Sequence, residues 1–481
     1  MRFTQLTDLA LVSGGVASIL VLLNVLYLYG LVAERRFSSP IGILWYCVVP
    51  SLLAFVFFGA LRLKPVQKRR VTAVCLVFVA LIYGFEITFE VTDREGVRWL
   101  HPLARSTASA REAACDVDQK IAELRRSGFS AVRSVVTPVA AYDTTQATVS
   151  SDGRTHVPKL IAFSGIARRK TVACEEGGRW LIYDSDEHGF HNPLGLWNSG
   201  QVDIAAMGNS WTQGCCLPSD SNFVSLMRVR HPATVNLGMS GQGPLQILGI
   251  AREYLSVLRP KVVVWFYFEG NGLQELQDEK KHEFLLRYVR PDFSQGLIRR
   301  QQEIDRAGEV RNRQRETQAR QEKQVRDSAP NAAFATLRSV ITLTSLRTTF
   351  GLVYGEDAQG ERAREDLKGP TMALFRDIVA ALKNEVASWG GTLVFVYLPS
   401  HERYGAGTGA ALSVDSQQRK RVLQLIDEMG IPIIDILPVF SVRGGNLLFD
   451  QWRFTEEGNR IVAEQVLDGM SPIAPNLSRT R

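Results

Sequence analysis

Metal-binding spacing is missing from this sequence. Seven histidines and six cysteines are spread over 481 residues, and no Cys-x-x-Cys or Cys/His pair stands at the interval of a metal site. Also missing are aromatic residues interleaved with the basic ones and any nucleic-acid motif. The formal charge of +7 and pI near 9.1 therefore do not imply a nucleic-acid partner. Much of the basic surplus sits in the N-terminal loops and in one Arg-rich stretch, Arg299 to Arg326. Hydrophobic residues make up 45% of the chain and mean hydropathy is -0.03, values ordinary for a soluble protein. The average hides an asymmetry, because the apolar residues concentrate at the N-terminus.

Leu9 to Ala33 is an apolar run without a charge until its end, and Pro40 to Leu61 and Val71 to Val91 follow at short intervals. Each approaches the ~20 residues a helix needs to cross a hydrocarbon core. The first run is too long for a signal-peptide core and no small-x-small cleavage site follows, which favours an anchor. The expectation is thus an anchor of three transmembrane helices over residues 1–92 in contact with the lipid bilayer. The loop holding Arg62, Lys64, Lys68, Arg69 and Arg70 is the most basic, and basic loops stay cytoplasmic. That rule puts the N-terminus inside a bacterial inner membrane and everything after Val91 in the periplasm. Glu86 and Glu90 would mark the outer end of the third helix. Cys47 and Cys75 read as apolar fillers. Cys115 and Cys174 would meet an oxidising compartment and are candidates for a disulfide.

Residues 93–195 read as a membrane-proximal subdomain. It has a helix over Ala110 to Arg126 and short strands such as Lys159 to Phe163 and Trp180 to Tyr183. From residue 196 to about 475 apolar runs alternate with amphipathic stretches. The runs are Val202 to Met207, Thr234 to Leu237, Val262 to Phe268, Thr392 to Tyr397 and Ile431 to Ile436. Helical patterns occupy Asn222 to Arg230, Pro244 to Leu258, Thr371 to Trp389, Ser416 to Met429 and Thr455 to Leu467. Short continuous runs of Val, Ile and Phe suit strands buried on both faces. Their alternation with helices implies an α/β fold with a doubly wound parallel sheet. The interval from about 280 to 370 breaks this rhythm, and its segment Ile298 to Arg326 reads as a solvated, charged helical insertion.

In such sheets ligands bind at the carboxyl ends of the strands, and four sequence elements fall there. The first strand runs into Gly208-Asn209-Ser210-Trp211, where a serine on a tight turn can expose its hydroxyl. The second runs into a glycine block with Gly238, Gly241 and Gly243, where backbone can approach a ligand and an N–H can face an oxyanion. The third ends in Glu269-Gly270-Asn271-Gly272, whose asparagine amide suits a second oxyanion donor. Asp450-Gln451-Trp452-Arg453 precedes the last helix, which Thr455 would cap.

Order, spacing and flanking residues of these elements resemble the SGNH (GDSL-type) hydrolases, over most of residues 180 to 470. The segments Tyr183 to Pro193 and Trp265 to Asn271 resemble membrane-anchored bacterial members. The resemblance implies a flavodoxin-like three-layer domain that hydrolyses or transfers acyl esters without cofactor or metal. It also implies Ser210 as nucleophile, with its own N–H, the Gly241 N–H and the Asn271 amide as oxyanion hole, and Asp450 as orienting acid. The expected ligand is an acylated envelope glycan or another ester, and acyl transfer would call for a separate membrane-protein partner.

Three residues depart from the family pattern. Asn209 and Gly272 stand where supporting aspartates belong, and Arg453 stands where the general-base histidine belongs. Arginine stays protonated and has no acceptor lone pair, so it cannot take the serine proton. Such help is worth ~10²–10⁴-fold. Arg453 could pair with Asp450 instead, and His188 or His191 could substitute as base. Two readings follow: an envelope esterase or acyltransferase, or a degenerate module that binds its ligand without turnover, as a ligand-binding or scaffold subunit of polysaccharide assembly.

Overall fold

The computed structural model describes residues 3–26, 48–94, 108–135, 148–149, 155–156, 160–176, 179–198, 200, 202–214, 216–327, 369–404, 409–450, 453–475 and 477. The chain divides into two compact units, one of residues 1–110 with 321–362 and one of 111–320 with 363–481.

The described part of the first unit contains three helices, α1 (Phe3–Leu26), α2 (Val49–Ala60) and α3 (Pro65–Arg94). Gly14 and Gly15 of α1 lie directly against the rings of Phe57 and Phe58, and Lys68 pairs with Asp8 at 2.8 Å. The expected anchor is corrected here: among the described residues, no helix is long and apolar enough to cross a membrane. The described helix α2 is 12 residues long, about 18 Å. Polar Thr4, Gln5, Thr7 and Asp8 open α1, and the apolar part of α3 is bounded by Arg70 and Glu86. Residues 27–47, which hold the ends of the first two expected spans, lie outside the described residues.

The second unit is built on a parallel five-stranded sheet. In chain order its strands are β4 (Ile204–Gly208), β5 (Thr234–Asn236), β6 (Val262–Phe268), β7 (Thr392–Leu398) and β8 (Ile433–Asp435). They stand in the order β8-β7-β6-β4-β5, the 2-1-3-4-5 arrangement of flavodoxin-like sheets, with the switch point between β4 and β6. Ala205, Met207, Val263, Trp265, Phe395 and Tyr397 pack into a core on one face. Ile204, Ala206, Val264, Phe266, Val394 and Val396 pack into a second core on the other. This two-sided burial is why the strands read as unbroken apolar runs. Helices α7 (Pro244–Ile250), α10 (Pro370–Ser388) and α11 (Gly409–Glu428) supply the first core. Helices α6 (Phe223–Arg230) and α12 (Glu456–Met470) supply the second. Thr455 caps α12, its hydroxyl accepting from Gly458 N–H at 3.1 Å.

A smaller sheet of β1 (Ala131–Arg133), β2 (Lys170–Glu176) and β3 (Arg179–Asp184) stands in the order β1-β2-β3. Helix α4 (Ala108–Arg126) contributes Val117 and Ile121 to its core. Residues 160–163, expected as a strand, are irregular although Phe163 is fully buried. The segment fills core space without pairing, which hydrophobicity alone does not distinguish from a strand. The charged insertion forms α9 (Gln301–Asp327).

Candidate functional site

Gly208 ends β4, and helix α5 (Ser210–Gln213) begins two residues later. A Cβ at Gly208 would lie 2.1 Å from Thr212 Oγ1 and 2.8 Å from the Phe266 carbonyl oxygen, so only glycine fits where strand turns into helix. Ser210 is half-buried at the first position of α5, where a backbone N–H has no intrahelical acceptor. Its hydroxyl makes no hydrogen bond to a described residue.

Asn209 caps α5, its Oδ1 accepting from Trp211 N–H at 3.2 Å. Its Nδ2 donates to Asn271 Oδ1 at 2.9 Å, and Asn271 Nδ2 donates to Glu275 Oε1 at 2.8 Å. An aspartate at 209 could cap equally well but could not donate to Asn271. The departure from the family pattern thus links the ends of β4 and β6. Glu275 and Glu279 lie on α8 (Gly272–Glu279). Burial raises the Glu275 pKa well above the carboxylate range, and the charge of Glu279 adds to the rise. Glu279 accepts from the N–H groups of Gly243, Leu245 and Gln246 at 3.0, 2.8 and 3.2 Å. Burial outweighs these donors and pushes its pKa up to about 8. Glu279 thereby fixes the glycine block at the start of α7.

The glycine block lies against α5. A Cβ at Gly238 would meet Thr212 Cβ at 2.5 Å and Gln213 N at 2.8 Å. Gln213 Oε1 accepts from Ser240 N–H and hydroxyl at 3.0 and 2.8 Å. The Gly241 N–H has no partner among the described residues, and a small cavity is lined by Asn209, Gln242, Gly243, Tyr267 and Glu275. At the ends of β6 and β7, Glu269 takes Arg403 Nε and Nη2 at 2.5 and 2.6 Å, Tyr397 hydroxyl at 2.6 Å and Ser400 N–H at 2.7 Å. Both charged partners are buried, with side-chain exposures of 9% and 4%. Burial, then the charge of Glu269, raises the Tyr397 pKa.

On the other flank, β9 (Phe449–Asp450) and β10 (Arg453–Phe454) form a hairpin with Asp450 opposite Arg453. Phe454 and Phe268 pack against Trp211 with centroids at 4.4 and 4.7 Å, bringing the hairpin beside Ser210's helix. The Asp450 carboxylate receives Arg179 Nη2 from β3, a partner not expected from sequence. Arg453 Nη1 approaches Cys174 Sγ at 3.9 Å. Cys174 is disulfide-bonded to Cys216, which corrects the expected pairing with Cys115. The bond ties β2 to the loop that follows α5.

Neither candidate substitute base hydrogen-bonds Ser210. His191 Nδ1 meets the Gln213 carbonyl at 2.8 Å and its ring stacks on Tyr183 at 4.2 Å. Burial lowers its pKa to about 4, so the imidazole is neutral. His188 packs on Trp197 at 4.4 Å, and burial lowers its pKa too. A third imidazole, His401, packs on Phe449 at 5.5 Å, one residue from Asp450. Sequence reasoning passed over Arg179, Gln213, Glu275 and Glu279 as well. They join the site from β3, α5 and α8, and no local motif marks them. Among the described residues no group of three His, Cys, Asp or Glu side chains stands together to hold a metal ion.

No family model matches the chain, and no curated protein matches it. Its neighbours among solved structures are GDSL-type lipolytic proteins and esterases at low identity. A lipolytic protein of the G-D-S-L family from Desulfitobacterium hafniense is 12% identical, covering 56% of this chain and 99% of its own, at a TM-score of 0.28. An alpha/beta hydrolase enzyme from the metagenome of Lake Arreo is 12% identical, covering 58% and 98%, at a TM-score of 0.29. A catalytic mutant of an acetylxylan esterase from Geobacillus stearothermophilus is 11% identical, covering 59% and 98%, at a TM-score of 0.30. Likenesses this weak carry no argument, and the flavodoxin-like sheet order described above stands on its own.

Proposed function

We propose that this protein binds an acyl ester, such as an acylated envelope glycan, at the Ser210 pocket and does not turn it over. The reading is carried by one observation: guanidinium groups hold both positions that would supply an imidazole and its orienting acid. Arg453 occupies the first, and Arg179 engages Asp450 at the second. A serine hydroxyl needs a nearby proton acceptor to attack an ester, and a guanidinium offers none.

The amide side supports binding. The Gly241 N–H and the start of α5 offer donors to a polarised ester carbonyl, and the Asn209–Asn271–Glu275 chain holds the amide at 271 in place. The disulfide supports a compartment outside the cytoplasm, where such bonds persist. The protein then serves as a ligand-binding subunit in the assembly or modification of an envelope polysaccharide.

The test is gain of function with p-nitrophenyl acetate. Arg453→His, alone or with Arg179→Ala to release Asp450, should raise a Ser210-dependent rate by ~10²-fold. If neither variant gains activity while both fold, position 453 is not what silences the site.

A further inference from the structure

We propose that the outward face of α9 is a docking surface for a linear anionic polysaccharide that carries carboxylates at intervals along a hydroxyl-rich chain. The proposal deepens the glycan-binding reading and rests on it for the class of ligand. Its observations lie outside the Ser210 pocket.

Arg306, Arg313 and Arg320 are exposed on α9, and Arg299 precedes them by the same seven residues. Seven residues advance a helix by about 10.5 Å and turn it by only ~20° from a whole number of turns. The three helical arginines therefore form a nearly straight row about 21 Å long. None of the four side chains makes an ion pair or hydrogen bond with a described residue.

Among the described side chains of the same helix, the acids are already engaged. Asp305 accepts from Ala167 N–H at 2.8 Å. Glu309 pairs with Arg169 and Glu316 with Arg125, each at 2.9 Å. Glu303 pairs with Arg300 at 2.8 Å. The helix docks through these contacts and through Ile304, which is fully buried, and Gly308, where a Cβ would meet Ile166 Cγ1 at 2.6 Å. Asp305, Glu309 and Glu316 are taken up by contacts with the body of the unit, while Arg306, Arg313 and Arg320 are exposed, with the Glu303 charge acting on Arg306 alone of the three.

The surroundings of the row select the partner. Exposed Gln302, Gln314 and Thr317 stand between the arginines and suit hydroxyl groups. No aromatic residue lies on α9, so nucleobases find no stacking platform. The exposed large apolar side chain among its described residues is Val310, too little to seat a helix in a bilayer interface. The interval between arginines is close to the Debye length of about 10 Å at 0.1 M salt. Each guanidinium thus acts on its own carboxylate, and binding weakens as salt rises.

The test measures binding of the full chain to polygalacturonate at low salt, with dextran as the uncharged control. The wild type should bind polygalacturonate and not dextran. Arg306→Ala/Arg313→Ala/Arg320→Ala should weaken binding about 10-fold with an unchanged Tm. Lys281→Ala/Arg290→Ala/Arg443→Ala, which removes the same formal charge elsewhere, should leave binding unchanged, as should Ser210→Ala. Absence of binding, equal binding by the α9 variant, or an equal loss in the charge control overturns the proposal. Equal or tighter binding to duplex DNA or to phosphatidylglycerol vesicles overturns its choice of partner. An ester-binding pocket that fails while polygalacturonate binding persists would count against the Ser210 reading alone.

Discussion

The two flanks of Ser210 are built from opposite materials. On the β4–β6 side, side-chain amides and a buried carboxyl form a hydrogen-bonded chain from Asn209 through Asn271 to Glu275. On the hairpin side stand two guanidinium groups, Arg179 on Asp450 and Arg453 beside the disulfide. On the proposed reading the first flank would recognise a carbonyl, while the guanidinium groups of the second offer no proton acceptor. Ester binding and catalysis would then, on that reading, be separable parts of one strand-end site.

Breaking the support of the amide flank should have the largest effect. Arg403→Ala leaves Glu269 buried without its cation, which should cost ~3–5 kcal/mol of unfolding free energy, read by chemical denaturation. Replacing both partners with apolar residues of similar size should recover most of that loss. On the hairpin flank, Cys174→Ser with Cys216→Ser removes a link across 42 residues and should cost about 3–4 kcal/mol. If the disulfide variant loses stability but keeps ligand affinity, the two flanks are independent, as the comparison requires.

A smaller effect sharpens the comparison through pH. The Glu279 carboxyl has its pKa raised to about 8 in the folded chain, against ~4.3 in an unfolded one. The folded state therefore holds the extra proton between these values. Its stabilisation is full below the unfolded value and is lost as pH rises through about 8. Stability should fall across this window by at most ~1.4 kcal/mol per pH unit for this group. Glu279→Gln should flatten that slope, and a slope unchanged in the variant would show that Glu279 ionises freely. The smallest effect is expected from Asn209→Ala, which removes the α5 cap for ~1 kcal/mol and frees the Asn271 amide. Asn209→Asp should keep the cap but lose the bond to Asn271.

The sheet was legible because burial on both faces leaves strands as unbroken apolar runs, and Val262–Phe268 matches its expected limits. The placement of Asn209 and Asn271 at strand ends was legible too, but the bond between them was not, since it follows from β4 and β6 being neighbours in the sheet. Arg179 and Gln213 were not, because their roles arise from contacts between distant segments. Cys216 was overlooked as a disulfide partner because the fold, and not spacing, brings it to Cys174. The N-terminal region misled for another reason: runs such as Val71 to Val91 satisfy an average hydropathy, while the charges at both ends of α3 shorten the apolar helix.

The most direct measurement is the hydrolysis of p-nitrophenyl acetate by the wild-type chain beside Ser210→Ala. The account predicts equal rates, both indistinguishable from background across neutral pH. A wild-type rate that disappears in Ser210→Ala would contradict it, because some group other than residue 453 would then be taking the serine proton.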